Sequence, residues 1–307
     1  MMTDKLLIVG GTGFIGRNLA TNAIKKGLTT IVLSLNEPHI ERKIPGVVYL
    51  QADITSLIQL REKLSNKTFD YVVNLSGYID HSAFLDGGRS IIDTHFFGVQ
   101  NLLQVLDWKS LKRFIQIGSS DEYGNHPAPQ NEDMCETPIS SYSLAKVAST
   151  KLLQMLHRTE NLPVVVLRLF LVYGNGQDSK RFIPQIIKGC LLGKNFPASE
   201  GEQLRDFCHV DDITNGILES LDRSEVNGEI INLASGVSIS IREIIELIQN
   251  LTGSGNPEFG KIAYRNGENM ELFANIEKAR KLMNWSPKIG LNEGIAKTIN
   301  GTVIDSA

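Results

Sequence analysis

Cysteine, proline, tryptophan and long apolar runs are all scarce in this chain, which has three Cys, ten Pro and two Trp among 307 residues. Cys135, Cys190 and Cys208 form neither an even set nor a metal-ligand spacing, which excludes a disulfide framework and a zinc ribbon. They read as reduced, structural thiols of a cytoplasmic protein, and no metal site is expected. No stretch is long and apolar enough to span a bilayer, and Met1-Met-Thr-Asp-Lys5 leads straight into a strand pattern without a signal segment. The net charge of −3 comes without a run of either sign, which argues against nucleic acid and anionic membrane as partners. Repeats and low-complexity linkers are missing as well. What is present is apolar content: 42% of the residues, enough for a large core in one large or two unequal domains.

That apolar content alternates between two periods. Strand patterns fall near 5–9, 29–33, 47–52, 71–75, 113–118 and 163–170, and helical patterns near 14–26, 57–65, 90–107 and 141–158. Such alternation predicts an α/β fold with a doubly wound parallel sheet, ligands lying at the carboxyl ends of its strands. The first strand, Lys5–Val9, runs directly into Gly10-Gly-Thr-Gly13-Phe-Ile-Gly16 and a helix closed by Gly27. Glycines at G-x-x-G-x-x-G permit a tight turn, close approach of backbone N–H groups to a pyrophosphate, and close packing of helix on strand. Between a strand and a helix, this motif predicts a dinucleotide site.

A second constellation lies mid-chain. The buried run Arg113–Ile117 ends in Gly118-Ser119-Ser120-Asp121-Glu122-Tyr123, and Tyr142-Ser-Leu-Ala-Lys146 opens a helical segment. Residues four apart on a helix share a face, so Tyr142 and Lys146 point at the same place. A free phenol titrates near pH 10, too high for a base near neutrality. A lysine beside it, together with a cofactor's cationic ring, favours the phenolate. Ser119, Tyr142 and Lys146 are therefore the predicted proton-transfer group, and Glu122 reads as an outward-facing loop charge.

These motifs resemble the extended short-chain dehydrogenase/reductase family, of the NAD-dependent epimerase/dehydratase type acting on nucleoside-diphosphate sugars. The resemblance rests on GGTGFIG (10–16), QADI (51–54), VNLSG (73–77), GSSDEYG (118–124), YSLAK (142–146), RLFLVYGNGQ (168–177), QLRDFCHVDDI (203–213), INLASG (231–236) and the tail 278–295. They occur in the family's order over nearly the whole chain. The family implies a Rossmann domain at 1–170, with 205–237 returning to it, and a smaller interleaved mixed α/β substrate domain at 171–204 and 238–307.

It also implies roles. Gly10, Thr12, Gly13, Phe14, Ile15 and Gly16 would hold the pyrophosphate. At the end of the second strand Ser34 stands where NAD-binding relatives carry an acid, and with Asn36 it suits ribose hydroxyls. With no Arg or Lys beside it, NAD is expected and NADP not excluded. Asp53 with Ile54 would meet the adenine (the alternative being a helix cap), and Leu75, Ser76 and Gly77 would flank the nicotinamide ribose beside Tyr142 and Lys146. Ser119 would hold the sugar at C4 while Tyr142 moves the proton. Dehydratases carry an acid pair after that Ser/Thr; here it is Ser120 and Asp121, so Asp121 alone remains as an acid, and the loop is closest to 4-keto-sugar reductases. Ser120, Asn175, Arg205 and Arg265 are the implied substrate-binding residues, with Gln177 a further polar candidate and Leu171 standing where relatives often have Asn. His95 stands where relatives usually carry Asn and reads as packed or solvated rather than as a base; His209, Asp211 and Asp212 read as capping and packing. The helices near 90–107 and 141–158 would form a homodimer.

The expected activity is NAD(P)-dependent hydride transfer between a C4 hydroxyl and a C4 ketone on a nucleoside-diphosphate sugar. Its alternatives are a C4 epimerase or 4,6-dehydratase that retains its NAD, and, more remotely, a non-catalytic nucleotide sensor.

Overall fold

The computed structural model describes residues 3–264 and 267–302. Its larger sheet is built from β1 (Lys5–Val9), β2 (Thr29–Ser34), β3 (Val48–Gln51), β4 (Tyr71–Asn74), β5 (Arg113–Ser119), β6 (Val164–Leu169) and, after an excursion, β10 (Ile230–Leu233). The strands lie in the order β10-β6-β5-β4-β1-β2-β3, all parallel. Apart from the edge strand β3, which is partly exposed, these runs of Val, Ile and Leu are buried on both faces, as a sheet covered by helices on each side requires. One face carries α1 (Phe14–Lys25), α7 (Val210–Glu219) and α9 (Glu277–Met283); the other carries α2 (Leu57–Leu64), α4 (Gly98–Val105) and α5 (Ser141–Glu160). Strand order reverses between β1 and β4, and the crevice outside their carboxyl ends is where a doubly wound sheet takes its ligand.

Ahead of α4, a short α3 (Gly88–Ile92) passes into a π-helical turn, Asp93–Phe97. The remaining elements form a smaller unit. Strand β7 (Leu171–Tyr173) leaves β6 through Phe170 and pairs with β9 (Leu204–His209), which β11 (Ser238–Ser240) and β13 (Glu271–Leu272) flank. A separate parallel pair joins β8 (Asn195–Pro197) to β12 (Asn256–Glu258). Helices α6 (Phe182–Leu191), α8 (Ile241–Thr252) and α10 (Leu291–Asn300) bury an isoleucine-rich core against this unit. No helix among the described residues is long and apolar enough to cross a membrane.

Two details bear on the division into units. Strand β9 takes β7 as a parallel neighbour in the smaller sheet, Leu171 against Phe207, while Cys208 on the same strand packs in the larger sheet's core. A six-residue strand pattern fits either sheet equally well, so its partner decides. Conversely Ala279, Met283 and Trp285, well inside the 238–307 block, are buried in the larger sheet's core.

Candidate active site

The glycine turn forms for steric reasons. Gly10 has φ +79°, and a Cβ there would lie 2.8 Å from the Leu75 carbonyl carbon; one at Gly16 would lie 2.5 Å from Gly11 Cα. Gly13 caps α1 without a side chain, so the first amides of the helix, at Phe14, Ile15 and Gly16, have no partner within it and border the cleft. Ser34 faces the same turn, its Oγ accepting from the Thr12 N–H at 3.2 Å. Asn36 and Ile54 line the cleft beside it. Asp53 lines it too, its Oδ1 accepting from the Thr55 N–H and hydroxyl at 2.8 Å each, while Ser56 is the cap of α2.

The cleft is continuous, about 1160 Å³, and its far side holds the second constellation. Leu75, Ser76 and Gly77 lead from the glycine turn to Ser119, Ser120, Asp121, Tyr142 and Lys146. Ser140 caps α5, its hydroxyl accepting from the Ser143 N–H, and this places Tyr142 and Lys146 on the buried, cleft-facing side. Lys146 Nζ donates to the Ile117 carbonyl at 2.9 Å and lies 5.7 Å from the Tyr142 ring centre. Burial pulls the Lys146 pKa down to about 8, against the charges of Glu122 and Asp121. Burial likewise pushes the Tyr142 phenol well above its ordinary value, and Asp121 adds to the rise; hydrogen bonding by Ser119 and the Arg181 guanidinium oppose it. The protein by itself therefore keeps this phenol neutral.

Glu122 corrects an expectation. It is not an outward loop charge but fully buried, its Oε1 accepting from the Ser119 N–H at 2.9 Å. Its Oε2 accepts from Arg168 Nε and Nη2 at 3.0 and 2.9 Å and from the Thr150 hydroxyl at 2.8 Å. Glu122 thus fixes the end of β5 that presents Ser119. His95 packs as expected: buried, Nε2 at 2.9 Å from the Tyr78 carbonyl, its ring edge-on to Tyr142 at 5.0 Å. Burial and the neighbouring Lys146 take its pKa to about 3, so it carries no charge near neutrality.

Several predicted substrate residues stand elsewhere. Asn175 turns its amide toward the Thr298 and Lys297 carbonyls at the end of α10, away from the cleft; Gln177 borders the cleft instead. Arg205 also lies off the cleft wall, its Nη2 paired with Glu268 at 2.6 Å. Arg265 lies outside the described residues. His209 caps α7 by accepting from the Asp211 N–H, and Asp212 accepts from the Lys288 and Ile289 N–H groups, which is structural bonding. Leu171 lines the cleft. Among the cleft residues that sequence reading missed are His81, Lys180 and Arg181. Each sits in a loop with no periodic pattern, and only Arg181, just ahead of the apolar run that becomes α6, carried a positional signal.

A profile of the NAD dependent epimerase/dehydratase family matches residues 6–234. The chain belongs to that family. It is 30% identical to the UDP-glucuronate 4-epimerase of Thermodesulfobacterium geofontis, over 96% of this chain and 94% of that one. It is 27% identical to the dTDP-glucose 4,6-dehydratase of Xanthomonas campestris, over 96% and 92%. Among solved structures, the UDP-glucuronic acid 4-epimerase from Bacillus cereus, in complex with UDP-glucuronic acid and NAD, has a TM-score of 0.84 at 25% identity, covering 97% of this chain and 98% of that one. As a member of this epimerase/dehydratase family the chain is an NAD-dependent enzyme.

Proposed function

We propose that the chain transfers hydride at C4 of a nucleoside-diphosphate sugar, with Tyr142 as the acid/base. One observation carries the reading: Ser119, Tyr142 and Lys146 line the same cleft as the glycine turn. The turn suits a dinucleotide diphosphate, since its first helical amides border the cleft and no side chain occupies the cap. Bound NAD supplies the hydride acceptor and its positive ring. Lys146 orients the cofactor's ribose, and Ser119 holds the sugar O4 by a hydrogen bond while Tyr142, as the phenolate that Lys146 and the positive ring favour, accepts the proton leaving it. Returning that proton to O4 on reduction of the ketone restores the phenolate. Epimerisation and net redox share these steps; the UDP-sugar 4-epimerases among its relatives support epimerisation, with hydride returned to the opposite face. Ser120 in place of the first acid of a dehydratase pair weighs against elimination of water.

The reading extends to assembly and setting. A homodimer through the 88–105 segment and α5 is supported by Phe97 and Leu144, large apolar side chains about half exposed on these elements. The three free thiols suit a reducing, cytoplasmic compartment.

The test uses UDP-glucuronic acid and UDP-glucose with added NAD. Separation of the C4 epimers by NMR, without net change at the NADH absorbance band, is expected for at least one of them. Stoichiometric NADH would establish net redox instead. No reaction with any nucleoside-diphosphate hexose, or unaltered turnover in Tyr142→Phe, would overturn the assignment.

A further inference from the structure

The hydride-transfer reading leaves one ionic contact in the cleft unused. His81, in the loop after β4, places Nε2 2.7 Å from Asp121 Oδ2, joining that loop to the one after β5. The His81 ring also stands edge-on to Tyr142, centres 5.8 Å apart at 77°. Asp121 is fixed in turn, its N–H donating to Ser119 Oγ at 3.2 Å. Imidazole, carboxylate, serine and phenol thus form one contiguous group on the cleft wall.

The charges around Tyr142 come from several elements. Asp121 and Glu122 face it from the loop after β5 and Arg181 from the start of α6. Lys146 lies on its own helix, and the His95 and His81 rings meet its edge. Around Asp121 stand His81, Tyr142 and Lys146, and the charge of Arg205 also reaches it. Glu122 is neutralised by Arg168. Asp121 therefore remains the main negative charge opposing a phenolate, and among the described residues it pairs with His81, which is cationic when protonated.

Resting on the hydride-transfer reading, we propose that His81 is a positioning residue for proton transfer: by pairing with Asp121 it sets how strongly that carboxylate opposes the Tyr142 phenolate. When the imidazole is protonated the pair is close to neutral, and the phenol gives up its proton more readily. Once His81 is neutral, Asp121 acts on the phenol with its full charge. The pair also braces the two loops, and a brace alone would leave the acidity of Tyr142 unchanged.

The experiment titrates that phenol directly. Ultraviolet absorbance of tyrosinate is followed against pH in NAD-loaded protein, and the same variant carrying Tyr142→Phe is subtracted. Asp121→Asn is expected to lower the midpoint by about one pH unit. His81→Arg, permanently charged, is expected to lower it by about half a unit, and to lower it less when Asp121 is already Asn. A midpoint unmoved by His81→Arg, or lowered just as far by it with Asp121→Asn in place, would overturn the proposal and leave a brace. No substrate is present, so a failure of the turnover assay and a failure of this titration are separate results.

Discussion

Lys146 is held where a lysine is least comfortable, wholly buried with the Ile117 carbonyl as the partner of its ammonium. Burial brings its pKa to about 8, whereas an unfolded lysine keeps its proton to about pH 10.4. Between those values the unfolded chain binds more protons than the folded one, so this residue's contribution to stability rises with pH across that window. Below about pH 8 the folded state bears the whole penalty. Lys146→Met is accordingly expected to abolish turnover and to raise the melting temperature at pH 7 by roughly 2–4 °C, with the gain gone near pH 10.5. Scanning calorimetry at the two pH values checks it; equal shifts at both would show that the charge is not what matters. Glu122 makes the opposite case. Gln in its place would turn an amide N–H toward the buried Arg168, which keeps only Glu136, at 2.7 Å, as a carboxylate partner. A loss of about 3 kcal/mol in denaturant unfolding is expected. Glu122 was misread in the sequence for a reason of distance: Arg168 lies 46 residues further on, and nothing local announces a buried acid.

At the scale of elements, periodicity located β1 to β6 of the larger sheet and, of the helices that cover it, α1, α2, α4 and α5. Buried parallel strands leave continuous Val/Ile/Leu runs, and amphipathic helices leave a three-and-four spacing. The smaller unit was harder to read because its strands are two to six residues long and their pairing depends on neighbours far away in sequence. Gly13 and Gly16 announced the dinucleotide turn, yet the glycine most tightly held by the site was legible only as part of a resemblance. Gly77 has φ +103°, and a Cβ there would fall 2.1 Å from His95 Cε1. His95 has no room to retreat, since its ring abuts Tyr142 and its Nε2 faces the Tyr78 carbonyl. Gly77→Ala is thus expected to displace the cleft wall at 75–78, weakening NAD binding on the order of tenfold and costing about 2 kcal/mol in stability. Isothermal titration with NAD checks the first and chemical denaturation the second; wild-type values in both would show that the loop shifts freely.

For the whole molecule, the same helix serves the cleft and the surface. Tyr142 and Lys146 face inward on α5. Leu144, between them, points the other way and is half exposed, and Met155, eleven residues on, falls on the same stripe because eleven residues make close to three turns. Phe97, at the end of the π-helical turn that packs on α5, is similarly exposed. A stable protein interface buries about 1,200 Å² or more, and apolar groups at its centre supply most of the binding free energy. The chain of 33.9 kDa is therefore expected to sediment at twice that mass, and Phe97→Glu with Leu144→Glu at the monomer mass. Because Leu144 lies two residues from each of the inward-facing residues, dissociation should loosen their placement and lower kcat more than it raises the Kd for NAD. A wild-type chain that sediments as a monomer at micromolar concentration would remove the dimer; a monomeric variant with full kcat would show that α5 holds Tyr142 and Lys146 in place without a second copy.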